Sequence, residues 1–97
     1  MQKISQEEAR YFVLRRLLGK NCIGAKQMLL ENIGRSAREA KRIVEKEALR
    51  LGSEGILFLK KKHYGVHVSL NPDKLRDVRS FMYSFELKMG TDFQAQR

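Results

Sequence analysis

The residue types that most often carry catalysis or bind metal are few in this sequence. Its two histidines, His63 and His67, have no cysteine, aspartate or glutamate beside them, and a zinc site usually takes three or four protein ligands. Cys22 is the single cysteine, so it has no companion for a thiolate pair or an internal disulfide. Glu7 and Glu8 fall in the first turn of a predicted helix, where carboxylates complement the helix dipole. The sequence therefore predicts no metal site, no cofactor and no enzymatic activity.

Basic residues are the type whose number and placement predict a partner. The 97 residues include 20 Lys and Arg against 11 Asp and Glu, a formal net charge of +9. Residues 35–70 alone carry nine Lys and Arg against four Glu. Concentrated positive charge favours a polyanion, with nucleic acid the commonest and an anionic membrane next. We expect no membrane span, because no apolar run approaches the roughly 18 residues that one requires.

Composition predicts a single globular domain over residues 1–97. The hydrophobic fraction of 42% and the charged fraction of 32% are those of an ordinary folded domain. The sequence opens "MQKISQEEARYF", without the apolar segment of a secretory signal. A lone cysteine fits a reducing compartment. We expect a cytoplasmic protein.

The first half of the chain predicts two helices and a turn. Ser5 and Glu8 have the spacing of a capping box, and apolar residues then recur at helical intervals over residues 5–18. A second, shorter helix is predicted at residues 24–32. The "NIGR" stretch at residues 32–35 indicates a turn, with its glycine supplying backbone freedom.

A third helix is predicted at residues 36–51, immediately after that turn. Ser36 and Glu39 form a second capping box. An apolar stripe then repeats at about 100° per residue and leaves a basic face opposite it. The members of that face are Arg38, Arg42 and Lys46.

The second half of the chain predicts a hairpin and a final helix. Both arms of residues 56–70 are rich in strand-forming residues, and Gly65 marks the reversal between them. The run Lys60, Lys61, Lys62 and His63 is expected at the tip, in a stretch without any carboxylate. A helix over residues 72–89 and a tail at residues 90–97 follow. The fold class is therefore α+β, mainly α.

The order helix, helix, turn, helix, hairpin, helix resembles the winged helix-turn-helix superfamily of DNA-binding domains. The features that carry the resemblance are "ENIGRS", "SAREAKRIVEKEALRLG" and "GILFLKKKHYGVHVSL", within residues 5–89. The resemblance implies three helices, a two-stranded wing hairpin and a C-terminal helix. It also implies that the third helix enters the DNA major groove while the wing touches the flanking backbone.

Two groups of residues are candidates for DNA contact. An arginine makes bidentate contacts with guanine, whereas a lysine acts more as a point charge. On and beside the third helix the candidates are Arg35, Ser36, Arg38, Glu39, Lys41, Arg42 and Lys46. In the wing they are Lys60, Lys61, Lys62, His63 and Tyr64. The alternative for both groups is a solvated surface, with ion pairs along the helix.

The final helix carries an apolar stripe at heptad-like spacing, which suits packing against another helix. Its members are Leu75, Val78, Phe81, Met82, Phe85 and Met89. We expect a homodimer through this stripe, with two recognition helices on a pseudo-palindromic site. The alternative is that the stripe covers the core of its own subunit.

The function predicted from these features is that of a small dimeric transcriptional regulator that binds double-stranded DNA. One alternative is an RNA-binding or non-specific nucleic-acid-binding protein that uses the same basic face. Another is a protein–protein interaction module whose wing binds an acidic partner. The sequence indicates no particular small-molecule effector.

Overall fold

Helices form most of the chain, and a small antiparallel sheet completes it. The structure is a computed structural model that describes residues 4–89. In chain order the elements are α1 (Gln6–Gly19), β1 (Met28–Leu29), α2 (Leu30–Ser36), α3 (Lys41–Ser53), β2 (Leu57–Lys62), β3 (Gly65–Leu70) and α4 (Leu75–Met89). Short 3-10 turns at Arg38–Ala40 and Pro72–Lys74 precede α3 and α4. The prediction of an α+β, mainly helical fold is confirmed, while the predicted tail lies outside the described residues.

Helix α1 begins at the predicted capping box. The Ser5 hydroxyl accepts a hydrogen bond from the Glu8 backbone N–H at 3.1 Å, and the Glu8 carboxylate accepts one from the Ser5 N–H at 2.8 Å. Two of the N–H groups that a helix start leaves without intrahelical partners are thereby satisfied. The inward face of the helix is fully buried and includes Ala9, Val13 and Leu17.

The second helix was predicted too early in the sequence, at residues 24–32 instead of Leu30–Ser36. The segment before it is a loop that pairs with β3: the Gly24 N–H donates to the Leu70 carbonyl, and the Leu70 N–H donates to the Cys22 carbonyl, both at 2.9 Å. Gly24 has a φ of 65°, which is not helical. Strand β1 then pairs with the middle of β3. These long-range hydrogen bonds replace the helical ones that the local pattern suggested.

The connection between α2 and α3 lies later than predicted. Ser36 ends α2, and its hydroxyl donates to the Ile33 carbonyl at 2.8 Å instead of capping the next helix. Ile33 and Gly34 are buried inside α2. A methyl group at Gly34 would overlap the Glu45 side chain of α3, so this glycine serves a close helix–helix approach and not the freedom of a turn. The third helix therefore starts at Lys41.

Helix α3 buries the stripe that its sequence predicts. Val44, Ala48 and Leu51 are fully buried against α1 and the sheet. The outward face carries the basic residues and is described with the candidate site below. Burial of this inner face holds α3 to the rest of the domain, because packing contributes more than intrinsic propensity to the stability of short helices.

The predicted hairpin is confirmed, and it belongs to a three-stranded sheet of order β1–β3–β2. Strands β2 and β3 pair from Leu57 opposite Leu70 to Lys62 opposite Gly65. Gly65 has a φ of 142°, a conformation that favours glycine. Leu57 and Val68 point into the core. The two-residue strand β1, absent from the sequence prediction, makes β3 the central strand.

Helix α4 packs its apolar stripe against the chain itself. Val78 and Phe85 are buried, and the Phe85 ring stacks on the Tyr11 ring of α1 with centroids 4.7 Å apart. Three further stripe residues are half-buried against the same core: Leu75, Phe81 and Met82. Val78 and Phe85 are therefore not available to the predicted dimer seam, because the core of the same chain already buries them. Met89 is the member of the stripe that remains exposed.

A carboxylate buried on the inner side of α3 is held by α1. Glu47 is only 3% exposed, and its Oε2 accepts a hydrogen bond from Arg10 Nε at 2.8 Å. The same guanidinium donates to Glu54 at 2.8 Å, and Arg50 lies 3.5 Å from Glu47. Burial lowers the pKa of Arg10, but the hydrogen bonds to Glu54 and Glu47 outweigh burial and leave that pKa above its usual value. The Arg10–Glu47 ion pair therefore joins α1 to α3 inside the domain.

Candidate nucleic-acid interface

The outward face of α3 presents a short row of basic side chains. Arg42 and Lys46 are exposed and four residues apart, so they lie on one face of the helix. Among residues 4–89, no carboxylate forms an ion pair with either of them. Leu49 continues the row and is 51% exposed. Two cations without internal partners on one helix face are available to an external anion.

The alternative interpretation of this face was that its basic residues form ion pairs with glutamates of the same helix. In the structure the glutamates of α3 point away from the basic row. Glu45 packs toward Gly34 of α2, and Glu47 is buried against Arg10. The basic row thus keeps its charge. Lys41, at the first position of α3, is exposed as well and adds a third positive charge at the start of the helix.

The candidates before α3 lie on a turn and not on the helix. Arg38 is exposed with a φ of 55°, in the 3-10 turn, so it does not share one helical face with Arg42 as the sequence predicted. Glu39 is exposed in the same turn. Arg35 lies in the last turn of α2 and forms an exposed i,i+4 ion pair with Glu31 at 3.2 Å, a kind of pair that stabilises little and opens easily. Ser36, bonded to its own helix, provides no cap for a phosphate.

The lysines of the hairpin lie within strand β2, and the turn itself consists of His63 and Tyr64. All are exposed. Because side chains alternate along a strand, Lys60 and Lys62 share one face of the sheet, and Lys61 lies on the face that leads to the core. The three charges therefore surround the hairpin arm instead of sharing its tip. Among the described residues none forms an ion pair with a carboxylate.

A close contact fixes the hairpin relative to α3. A methyl group at Gly52, near the end of α3, would overlap the Leu59 side chain of β2. Leu59 is on the same face of the sheet as Lys61, two residues or about 7 Å farther along the strand. The hairpin and the basic helix are thus packed against each other at their bases. The outward face of α3 and the β2–β3 hairpin therefore form one continuous surface, and both parts of it are positively charged.

Two exposed apolar residues of this surface were not among the predicted site residues. Phe58 is 45% exposed and shares its face of the sheet with Lys60 and Lys62. Leu49 extends the Arg42–Lys46 row. The signal for Phe58 was its position two residues before Lys60 in the predicted hairpin arm, since every second residue of a strand points to the same side.

Comparisons of the chain with protein-family models, with curated proteins and with solved structures found no match. No helix within residues 4–89 combines the length and the apolar character needed to cross a membrane. In the same residues, no group of three or more His, Cys, Asp and Glu side chains is arranged to hold a metal ion. The geometry of the basic surface is therefore the main evidence on function.

Proposed function

We propose that this chain is a winged helix-turn-helix protein that binds double-stranded DNA and acts as a small transcriptional regulator. Helix α3 would enter the major groove, and the β2–β3 hairpin would contact the flanking phosphates. The observation that carries the proposal is the basic row of α3, which forms no ion pair within residues 4–89 and is packed beside a hairpin that bears three lysines and no carboxylate. The element order, with a short strand before α2 that pairs into the hairpin sheet, supports it further.

The experiment that tests the proposal is selection of binding sequences from a random pool of duplex DNA, followed by measurement of affinity against salt. We expect one enriched sequence that binds at least 10³-fold tighter than a scrambled duplex. Binding without enrichment, with a steep salt dependence, would indicate a general polyanion binder. Preference for a structured RNA competitor would instead support the RNA-binding alternative.

The hairpin lysines are expected to supply affinity without sequence preference. The double substitution Lys60→Ala and Lys62→Ala should reduce the slope of log K against log salt by about 2, because each lost phosphate contact removes roughly 0.9 from it. Affinity for the selected and the scrambled duplex should fall by the same factor. Salt titrations by fluorescence anisotropy measure both quantities.

A matched control for that variant is Arg16→Ala with Lys20→Ala, which removes two exposed charges at the end of α1. We expect the control to leave the salt slope within about 0.5 of the wild type, since DNA on α3 would not reach the outer side of α1. Equal slopes for the two double variants would mean that the hairpin makes no special contact, contrary to the prediction.

The homodimer stays part of the proposal, but on a different surface of α4. Tyr83 and Leu87 are 64% and 59% exposed, one turn apart, on the face opposite to Val78 and Phe85. Exposed apolar pairs of this kind suit an isologous contact between two copies. A dimer formed there would place two α3 helices on a site with two half-sites about one helical turn apart.

Replacing Leu87 by aspartate is expected to convert the dimer to a monomer, because the new charge would be buried in the contact. Sedimentation equilibrium gives the mass in solution. Leu49→Asp is the matched control, an exposed leucine replaced on the DNA-binding face, and its mass should equal that of the wild type. A wild-type chain that sediments as a monomer at micromolar concentration, or an unchanged Leu87→Asp mass, would reject this contact.

A further inference from the structure

A second surface feature, a groove of about 580 Å³, runs along the outer side of α1 and lies apart from the basic face of α3. The residues of α1 that line it recur every three or four positions, so the groove follows the helix axis. Its floor is formed by Tyr11 and Phe85, which stack on each other and are almost fully buried. The volume is within the range of sites for small organic ligands.

The two ends of the groove differ in chemical character. Near the start of α1 it is lined by Ile4 and Phe12, both half-buried against the core. Near the end of α1 it is lined by Arg15, Arg16 and Lys20. From Phe12 to Lys20 the distance along the helix is about 12 Å, at 1.5 Å per residue. The groove therefore has an apolar part (Ile4, Phe12) and a cationic part (Arg15, Arg16, Lys20).

Within residues 4–89 no side chain of the cationic part forms a direct ion pair. Arg15 donates a hydrogen bond to the Tyr11 hydroxyl at 3.2 Å, and no carboxylate pairs with Arg15, Arg16 or Lys20. Glu8 also lines the groove, toward the start of α1, and its carboxylate accepts a hydrogen bond from the Ser5 N–H. The Glu86 carboxylate accepts from the same Tyr11 hydroxyl to which Arg15 donates.

We propose that this groove binds a small hydrophobic carboxylate, with its chain along Ile4 and Phe12 and its carboxylate at Arg15, Arg16 and Lys20. Charge complementarity selects this ligand over a second copy of the chain, since a copy with a net charge of +9 would bring further cations to the three already present. Nucleic acid fits less well, because the rings of Tyr11 and Phe85 are buried and offer no face on which a base can stack.

The test uses octanoate, 1-octanol and octylamine as probes of equal chain length and different charge. Binding is followed by ¹H–¹⁵N correlation spectra of the full chain. We expect octanoate to shift the amide signals of α1 and of the last turns of α4, and to bind at least tenfold tighter than octanol. Octylamine should bind more weakly than octanol.

Two variants locate the site. Arg16→Gln with Lys20→Gln removes two exposed charges that have no partner in residues 4–89, and it should reduce the preference for octanoate to less than twofold. Gly19→Phe should abolish binding of both octanoate and octanol. The groove is open at Gly19: a Cβ there meets no heavy atom within 4 Å, so the larger side chain fills the groove without disturbing the fold. Arg76→Gln with Arg79→Gln is the charge-matched control and should bind octanoate as the wild type does.

The proposal is overturned if octanol binds as tightly as octanoate, or if the Arg16→Gln, Lys20→Gln variant keeps the preference. It is also overturned if octanoate shifts signals of α3 and the hairpin instead, as a general anion would. Absence of octanoate binding, together with a change of mass in solution for Gly19→Phe, would show that a second copy occupies the groove. None of these results depends on DNA binding, so the outcome is separate from that of the DNA selection.

Discussion

Replacing Arg42 by alanine is expected to weaken binding to the selected duplex by about 1–3 kcal/mol, roughly 5- to 150-fold. The guanidinium is exposed on the outward face of α3 and has no ion-pair partner within residues 4–89, so its full donor capacity is available to a base edge. The loss should be confined to duplexes that carry the preferred base, because a scrambled duplex offers no bidentate partner. Competition titrations with single-base variants of the selected sequence measure this difference.

One further substitution at this position separates geometry from charge. Arg42→Lys keeps the positive charge but loses the planar fork, so it should relax base preference while the salt slope stays unchanged. As a control, Arg16→Ala removes an exposed arginine from α1 and should leave both base preference and salt slope unchanged. If Arg42→Ala weakens every duplex by the same factor, α3 contributes only electrostatic attraction and the proposal of base readout fails. We expect the fold to be retained, since the Arg42 side chain is exposed.

The parts of the fold that follow from local sequence were predicted well. Ser5 and Glu8 mark the start of α1 because their capping bonds involve residues three apart. The inner stripe of α3 and the alternation of Val66, Val68 and Leu70 in β3 depend on periods of 3.6 and 2, which a single sequence displays directly. Arg42 and Lys46 were accordingly assigned to the correct face of their helix.

The errors arose where distant contacts decide the conformation. Residues around Gly24 leave the helical state because Leu70, some 46 positions later, supplies their hydrogen bonds. Gly34 was interpreted as a turn residue, although its role is to admit the Glu45 side chain of a neighbouring helix. Ser36 is a different case, because its hydroxyl donates to the Ile33 carbonyl only three residues earlier, a local alternative to capping the next helix. The choices at Gly24 and Gly34 are not encoded in a window of a few residues.

The candidate site, like the fold, was predicted well where local sequence decides and poorly where distant contacts decide. Exposure of the lysines in β2 follows from their type, but their placement along the strand, instead of at its tip, depends on where the hairpin turns. The heptad-like stripe of α4 was correctly identified as apolar, but spacing alone does not distinguish the core of the same chain from a partner helix. For Phe85 the structure shows the core of the same chain, because its ring stacks on Tyr11, a residue 74 positions away.

The second large effect is expected in stability and concerns Glu47, a charged residue on the apolar side of α3. Its carboxylate is 3% exposed and its partner Arg10 is 19% exposed. Glu47→Ala should lower the free energy of unfolding by about 3 kcal/mol, since it leaves the guanidinium without one of its two hydrogen-bonded carboxylates. For a domain of this size that loss lowers Tm by roughly 12–24 °C. Urea unfolding followed by circular dichroism measures it.

Comparison with the other carboxylate on Arg10 shows whether burial is the cause. Glu54 makes an equally short contact but is 41% exposed, so Glu54→Ala should cost less than about 1 kcal/mol. In an Arg10→Ala background, Glu47→Ala should lose most of its effect, because the interaction is already absent. Equal costs for Glu47→Ala and Glu54→Ala, or additive losses in the double variant, would contradict a buried, coupled pair. Because Glu47 lies on the inner side of α3, the folded fraction of Glu47→Ala should still bind DNA with wild-type affinity. That result would show that the Arg10–Glu47 ion pair holds the helix in place, while the opposite face of the helix contacts the groove.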